Sequence, residues 1–332
     1  MATRIEFQLI PLERMYRQPA DFPQLPFIIL PEVEVADVSN LLPSTMFDYL
    51  RGEAGGHRMR VFDGQVKFAL VHKYEETQEY PRSEEEEKEQ ERSAKRQAGL
   101  LNEVFACSRI IRPTRRLGSV SGYLNSDGRV AQREATFPDN GLDVPEALKL
   151  FAFRSKDLEN LRSLIVTFLK AMHGEYWPFR MAVQYYYMGY EVNDWKGRFL
   201  YWGSAALHAL YSPSSEKLVR RIKGFLGETT LIYPREEHPE FEFLPADPTT
   251  IGGVIEDINI VRNCIAHGER ISDSYFEKGR HGLNGQISYL AILDDSLAFI
   301  VRETLRRILT LNVIDSFTSR HSVSLFWKTK GL

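Results

Sequence analysis

TIGGVIEDINIVRNCIAHGER, residues Thr250–Arg270, carries the pattern that decides how this chain is read. Ile251, Val254, Ile258, Val261 and Ile265 recur at spacings of 3, 4, 3 and 4, the period of a helix with one apolar side. At about 100° per residue, Glu256, Asn263 and His267 fall within about 40° of one another on the opposite side. Ile260 sits among them. A helix with a core stripe on one side and an isoleucine on the other is expected to be covered on both, by another helix of this chain or by a partner subunit. Gly268 directly follows His267. Glycine accepts positive φ without penalty and ends helices. His267 is therefore expected in the last turn, where a protonated imidazole gains from the negative end of the helix dipole. Arg262 and His267 lie about 140° apart on an ideal helix. They reach one ligand only if the turn opens at Ala266–Gly268 or if a symmetric copy completes the site.

Similar patterns flank this helix. Leu158, Leu161, Ile165, Phe168 and Met172 mark one helix, and Phe179, Val183, Tyr186 and Tyr190 a second after Trp177-Pro178. Trp195–Tyr211 is closed by Pro213, and Leu218, Ile222 and Phe225 end at Gly227. A proline-bearing loop, Tyr233–Pro248, leads into Ile251–His267, and a last long helix carries Leu290, Leu293, Leu297, Ile300, Ile308 and Leu311. Residues 146–320 thus read as an all-α bundle.

Residues 1–145 read as a mixed domain with β structure, so the whole is expected to be α+β. Phe27–Leu30 and Val33–Val38 are short β-prone runs, and Asp63-Gly64 between two others signals a hairpin. Gly118–Phe137 holds a second β-prone piece punctuated by Asn125, Asp127 and Gly128. Between them, residues 75–112 form a charged helical insert with four consecutive glutamates, Glu84–Glu87. Ser83 is its expected cap, since carboxylates favour the positive end of a helix. Pro113 is its expected stop.

The 332 residues are 43% hydrophobic and 26% charged, which excludes global disorder. No apolar run is long enough to span a bilayer, and no signal peptide is visible in the first residues. Two cysteines, Cys107 and Cys264, cannot make a disulfide framework, so a cytoplasmic location is expected. A net charge of −3 gives no global pull toward nucleic acid. Phosphate-cradling glycine loops, paired C-x-x-C motifs and H-E-x-x-H are all absent, so neither a cofactor nor a metal is expected. Cys264 and His267 make at most half of a metal site.

R-N-C-I-A-H, Arg262–His267, resembles the signature of HEPN domains: arginine, a polar residue beside it, and histidine a few residues on. The region from about Phe179 to Leu311 is similar to the ApeA-like branch of that family. LYWGSAALHAL, Leu200–Leu210, resembles its second helix and KLVRRIKGFL, Lys217–Leu226, the helix after it. The resemblance covers only the C-terminal half. It departs from the family at His208, which stands where glutamate is common. It implies a metal-independent endoribonuclease acting as a homodimer on RNA, with a role in antiviral defence or a toxin-like stress response. Arg262, Asn263 and His267 would be catalytic, His208 and Glu256 supporting, and Ile260 at the dimer interface.

The residue chemistry is compatible. RNA brings its own nucleophile, the 2′-hydroxyl, so the protein needs a proton carrier such as histidine and a fixed fork of donors such as arginine. The alternative is a non-catalytic HEPN scaffold that binds RNA or a protein partner. In the plainest form of that alternative, Arg262 pairs with Glu256 or Asp257 and His267 only caps its helix. Three arginine groups, around Arg109–Arg133, Arg220–Lys223 and Arg302–Arg307, are expected to be ordinary solvated faces. Tyr185–Tyr187, Tyr190, Tyr201 and Trp202 are expected to pack a helix pair rather than to stack bases.

Overall fold

The computed structural model describes residues 2–9, 24–38, 68–76, 83–113, 118–124, 130–136, 153–192, 194–211, 215–232, 249–277, 279–282 and 285–332. The chain divides into two compact units, one of Met1–Leu142 with Leu150–Val166 and one of Asp143–Lys149 with Thr167–Leu332. The architecture is α+β: a sheet in the first unit and mostly helices in the second.

In the first unit β1 (Ala2–Leu9), β2 (Phe27–Leu30), β3 (Val33–Asp37), β4 (Phe68–Glu76), β5 (Gly118–Leu124) and β6 (Val130–Thr136) form one antiparallel sheet in the order β2-β3-β4-β1-β5-β6. Alternation along the strands sorts the side chains by face. Ile5, Phe7, Ala69, Val71 and Val120 share a buried apolar cluster. The other face is mixed and also covered: Val33, Val35 and Leu70 are buried there, Tyr74 donates to Glu6 at 3.2 Å, and Gln8 donates to Asn102 at 2.6 Å. Asn102 belongs to α1 (Glu84–Ile111), which Ser83 caps by accepting from the Glu86 amide at 3.2 Å.

The glutamate-rich start of α1 is exposed at Glu85 and Glu86. Its second half is not an insert: Leu101, Val104, Phe105, Cys107 and Ile110 are core. Burial also pushes the Cys107 thiol far above its ordinary range. Arg109 and Arg112, read as part of a solvated basic face, are buried instead. Arg109 lies over the Phe105 ring at 4.8 Å, and Arg112 pairs with Asp157 at 3.4 Å. The expected hairpin at Asp63-Gly64 and the loop Tyr233–Pro248 lie outside the described residues.

α2 (Ser155–His173) leads into the second unit. There follow α3 (Trp177–Glu191), then one helical rod made of α4 (Trp195–Arg198), a π-helical segment (Phe199–Ala206) and α5 (Leu207–Tyr211). Next come α6 (Ser215–Leu226), α7 (Ile251–His267), the short α8 (Ser274–Glu277) and the long α9 (Tyr289–Thr310). Two expectations need correction. The second half is not all-α, because β7 (Gly279–Gly282) and β8 (Gly285–Ser288) form a hairpin within it. The helical unit also continues past residue 320, through α10 (Arg320–Thr329). Trp327 of α10 is fully buried, stacks on Tyr211 at 4.8 Å and donates to the Leu210 carbonyl at 3.0 Å.

The tyrosines and Trp202 pack a helix pair as read: Tyr190 meets Trp202 at 5.4 Å, and the Trp202 indole donates to the Tyr186 carbonyl at 2.9 Å. A β-carbon at Gly189 would come within 2.0 Å of that indole nitrogen, so only glycine fits. Arg221 and Arg302 are buried, and Arg306 and Arg307 both donate to Glu303. Each group is thus split: Arg221 and Arg302 are structural, while Arg220 and much of Arg306 face solvent as read.

Arg198 donates to Asp294 at 2.7 Å with both side chains almost fully buried. Burial pushes the Asp294 carboxyl up to about 6, against the pull of the Arg198 charge. The folded protein therefore holds a proton there in a pH range where the unfolded chain, near 3.8, does not. Stability from this group grows as pH falls through about 6. In denaturant titrations, wild type should gain on Asp294→Asn as the pH falls from neutral to about 5. A pH-independent gap between the two would remove Asp294 ionisation from the energetics of the core.

Candidate functional site

α7 begins at Thr250, whose hydroxyl accepts from the Gly253 amide at 3.2 Å. It ends at Gly268, with φ 70° and ψ 23°. The Gly268 amide donates to Ile265 at 3.3 Å and the Glu269 amide to Cys264 at 2.8 Å. This is a Schellman cap, which satisfies the last carbonyls only if the helix stays closed up to His267. The turn at Ala266–Gly268 therefore does not open to swing His267 toward Arg262.

Ile251, Val254, Ile258 and Val261 are buried to within 1% of full burial. On the other side Glu256 and His267 are exposed. Ile260 is 48% exposed, so about half of its apolar side chain is open among the described residues. The polar face expected from the spacing is present around it.

Arg262 is half-buried. Its stem lies against Gly203 of the π-helical segment, where a β-carbon would meet Cγ at 3.1 Å and Cδ at 3.3 Å. Burial lowers its pKa from the ordinary arginine value. Nε and Nη2 both donate to Asn263 Oδ1, at 3.2 and 2.6 Å. A neutral amide fixes the guanidinium plane without cancelling its charge. Neither carboxylate offered by the sequence does so. Glu256 pairs with Lys223 at 2.9 Å, and Asp257 accepts from Tyr275 at 3.0 Å and Tyr289 at 2.6 Å. Among the described residues no carboxylate forms an ion pair with Arg262.

His267 and Arg262 share no hydrogen bond among the described residues. Of the sequence-selected residues, the structure thus joins Arg262 to Asn263, leaves His267 and Ile260 open on the α7 face, and holds Glu256 on Lys223. It also brings His208 in from α5. The His208 pKa is lowered, first by desolvation and then by the charges of Arg320 and Arg262. Sequence reading missed Arg320, which opens α10. Ser319 caps that helix by accepting from the Ser322 amide at 3.1 Å. The spacing of Val323, Phe326 and Trp327 behind that serine was the available signal. Among the described residues no three His, Cys, Asp or Glu side chains are grouped as a metal site needs, and no helix is long and apolar enough to cross a membrane.

A carboxylate at position 208 would sit in the field of both arginines. His208→Glu should therefore raise unfolding stability by about 0.2–1 kcal/mol at low salt. The gain should fade as salt screens the charges. Equal stability at every salt concentration would place His208 out of reach of Arg262 and Arg320. No protein-family model, curated protein or solved structure matches this chain.

Proposed function

We propose that the helical unit is a metal-independent endoribonuclease of HEPN type that works as a homodimer. The observation that carries this reading is Arg262: a half-buried guanidinium oriented by Asn263 and left without a carboxylate. Buried cations are normally paired with anions, so an arginine held this way favours an anion from outside the chain. In RNA that anion is the phosphodiester. The 2′-hydroxyl gives up its proton to a base and attacks the adjacent phosphorus, and the bond to the 5′-oxygen breaks. That oxygen takes a proton, leaving a 2′,3′-cyclic phosphate and a free 5′-hydroxyl.

His267 is the proton carrier of the scheme and Arg262 stabilises the charge that builds on the phosphoryl oxygens. Because one helix points the two apart, the reading needs a second subunit. A two-fold contact through Ile260 would bring His267 of one copy toward Arg262 of the other. A role in defence or stress response follows from the family resemblance alone. The second reading, a scaffold that binds RNA or a protein partner without cleaving, is favoured by the divergence of Arg262 and His267 within one chain.

Cleavage of bulk RNA should survive excess EDTA and leave cyclic phosphate ends. Arg262→Ala and His267→Ala should each abolish it with the helical circular dichroism unchanged. Persistence of cleavage in both variants sinks the site.

Ile260→Glu would set two like charges near the two-fold axis, at a cost of several kcal/mol, on the order of other like-charge contacts at interfaces. The expected result is a folded, inactive monomer by light scattering. A wild type that is monomeric at tens of micromolar, or a dimeric Ile260→Glu protein, would rule out the composite site.

A further inference from the structure

Arg262 is held at two points along its side chain, from two directions. Its head is pinned by its own helix, where Nε and Nη2 both donate to Asn263 Oδ1, at 3.2 and 2.6 Å. That occupies one edge of the planar guanidinium. The end of the group remains, made of Nη1 and the outer hydrogen of Nη2. Nη1 has no hydrogen-bond partner among the described residues and is not shut off from solvent. The two parallel N–H groups at that end match two oxygens of a single phosphoryl group.

The middle of the side chain rests on the rod. A β-carbon built at Gly203 would stand 3.1 Å from Arg262 Cγ, 3.3 Å from Cδ and 3.4 Å from Leu297 Cδ2 of α9. Carbon atoms in ordinary contact are about 3.5–4.0 Å apart. One methyl group at position 203 therefore requires the stem or the rod to give by a few tenths of an ångström. The rod is blocked on its far side. Trp202 is wedged on α3, with its indole bonded to the Tyr186 carbonyl at 2.9 Å and laid across Gly189. The stem is blocked at its head by Asn263, and Leu297 closes the α9 side. Cγ and Cδ are mid-stem atoms, so they yield only by swinging the fork off Asn263. The π-helical register puts the residue without a side chain, rather than Trp202, beneath the arginine.

We propose that Gly203 is a positioning residue for Arg262: its bare backbone sets the depth of the stem, so that the guanidinium offers its Nη1–Nη2 end to the scissile phosphate. The identity of the anion rests on the ribonuclease reading above; the seat does not. Gly203 touches neither RNA nor the reacting atoms and acts through Arg262.

The test uses the full chain and a fluorescein-labelled 2′-O-methyl oligouridylate, which is not cleaved because its 2′-oxygen carries no proton. Anisotropy across a potassium chloride series gives affinity and salt slope for wild type, Gly203→Ala, Arg262→Gln and the double variant. Gly203→Ala should weaken binding several-fold and lower the log–log slope by up to about 0.7, the share of one phosphate contact on a single strand. In the Arg262→Gln background the same change should have no further effect, the coupling expected of residues in contact. A loss of equal size in both backgrounds makes Gly203 a packing residue only and overturns the proposal. So does a Gly203→Ala protein with wild-type affinity and slope.

If Gly203→Ala does not fold, wild type decides. With glycine and arginine protonated in a deuterated background, the Gly203 Hα should show nuclear Overhauser contacts to the Arg262 methylenes, and these should persist when the probe binds. Their loss on binding means that the arginine leaves its seat to meet the anion, which overturns the proposal. Parallel digestion of unmodified oligouridylate keeps the two readings apart. Gly203-dependent binding without cleavage retains the seat and discards the nuclease. Cleavage indifferent to Gly203→Ala retains the nuclease and discards the seat. A wild type that neither binds the probe nor cuts RNA overturns both.

Discussion

Trp202 lies across Gly189 and Gly203 lies under Arg262, and no β-carbon fits at Gly189 without displacing the indole. These neighbours on the π-helical segment set how closely α3, α7 and the rod approach one another. A π-helical stretch adds a residue to the turn and shifts the side chains that follow around the axis. Here it turns Trp202 onto α3 while the bare Gly203 faces α7 and Leu297 of α9. The packing of the helical unit and the placement of the arginine therefore depend on the same irregular turns. The half-buried state of Arg262 follows from that fit.

Electrostatics in this unit divide into two kinds. Charges in the core are paired: Arg198 with Asp294, and Arg306 and Arg307 with Glu303, whose pKa is lowered by those arginines in spite of its burial. Pairing of this kind is what low dielectric demands. Arg262 departs from it: it is half-buried and has no carboxylate partner among the described residues, and functional sites are where such departures gather.

Much of the helical pattern was legible because it is local. The stripe from Ile251 to Ile265, the Thr250 and Gly268 ends, the Ser83 cap and the β5–β6 hairpin follow from spacing and from the residues that hold end groups. The π-helical segment has no such signature; its register is imposed by Trp202 and Gly203 against helices distant in sequence. The Arg198–Asp294 pair is likewise invisible along the chain. The β7–β8 hairpin was legible and missed, since Asn284-Gly285 is a turn signal between two short strands. At the site, the buried stripe of Ile251, Val254, Ile258 and Val261 followed from angles alone, while Ile260, expected to be covered, is 48% exposed. The partner of Arg262 did not follow, because Asn263 and the two acidic residues were equally available in one dimension.

The order of the sheet has a consequence for how the first unit is made. β1 is a middle strand, flanked by β4 and β5, although it comes first in the chain. During synthesis it emerges with both edges unpaired, and its partners follow only after long intervening stretches. Closing those loops is slow relative to local helix formation. The strand Ala2–Leu9, with Ile5 and Phe7 on one side, is thus a segment for a chaperone to shield while the ribosome is still at work.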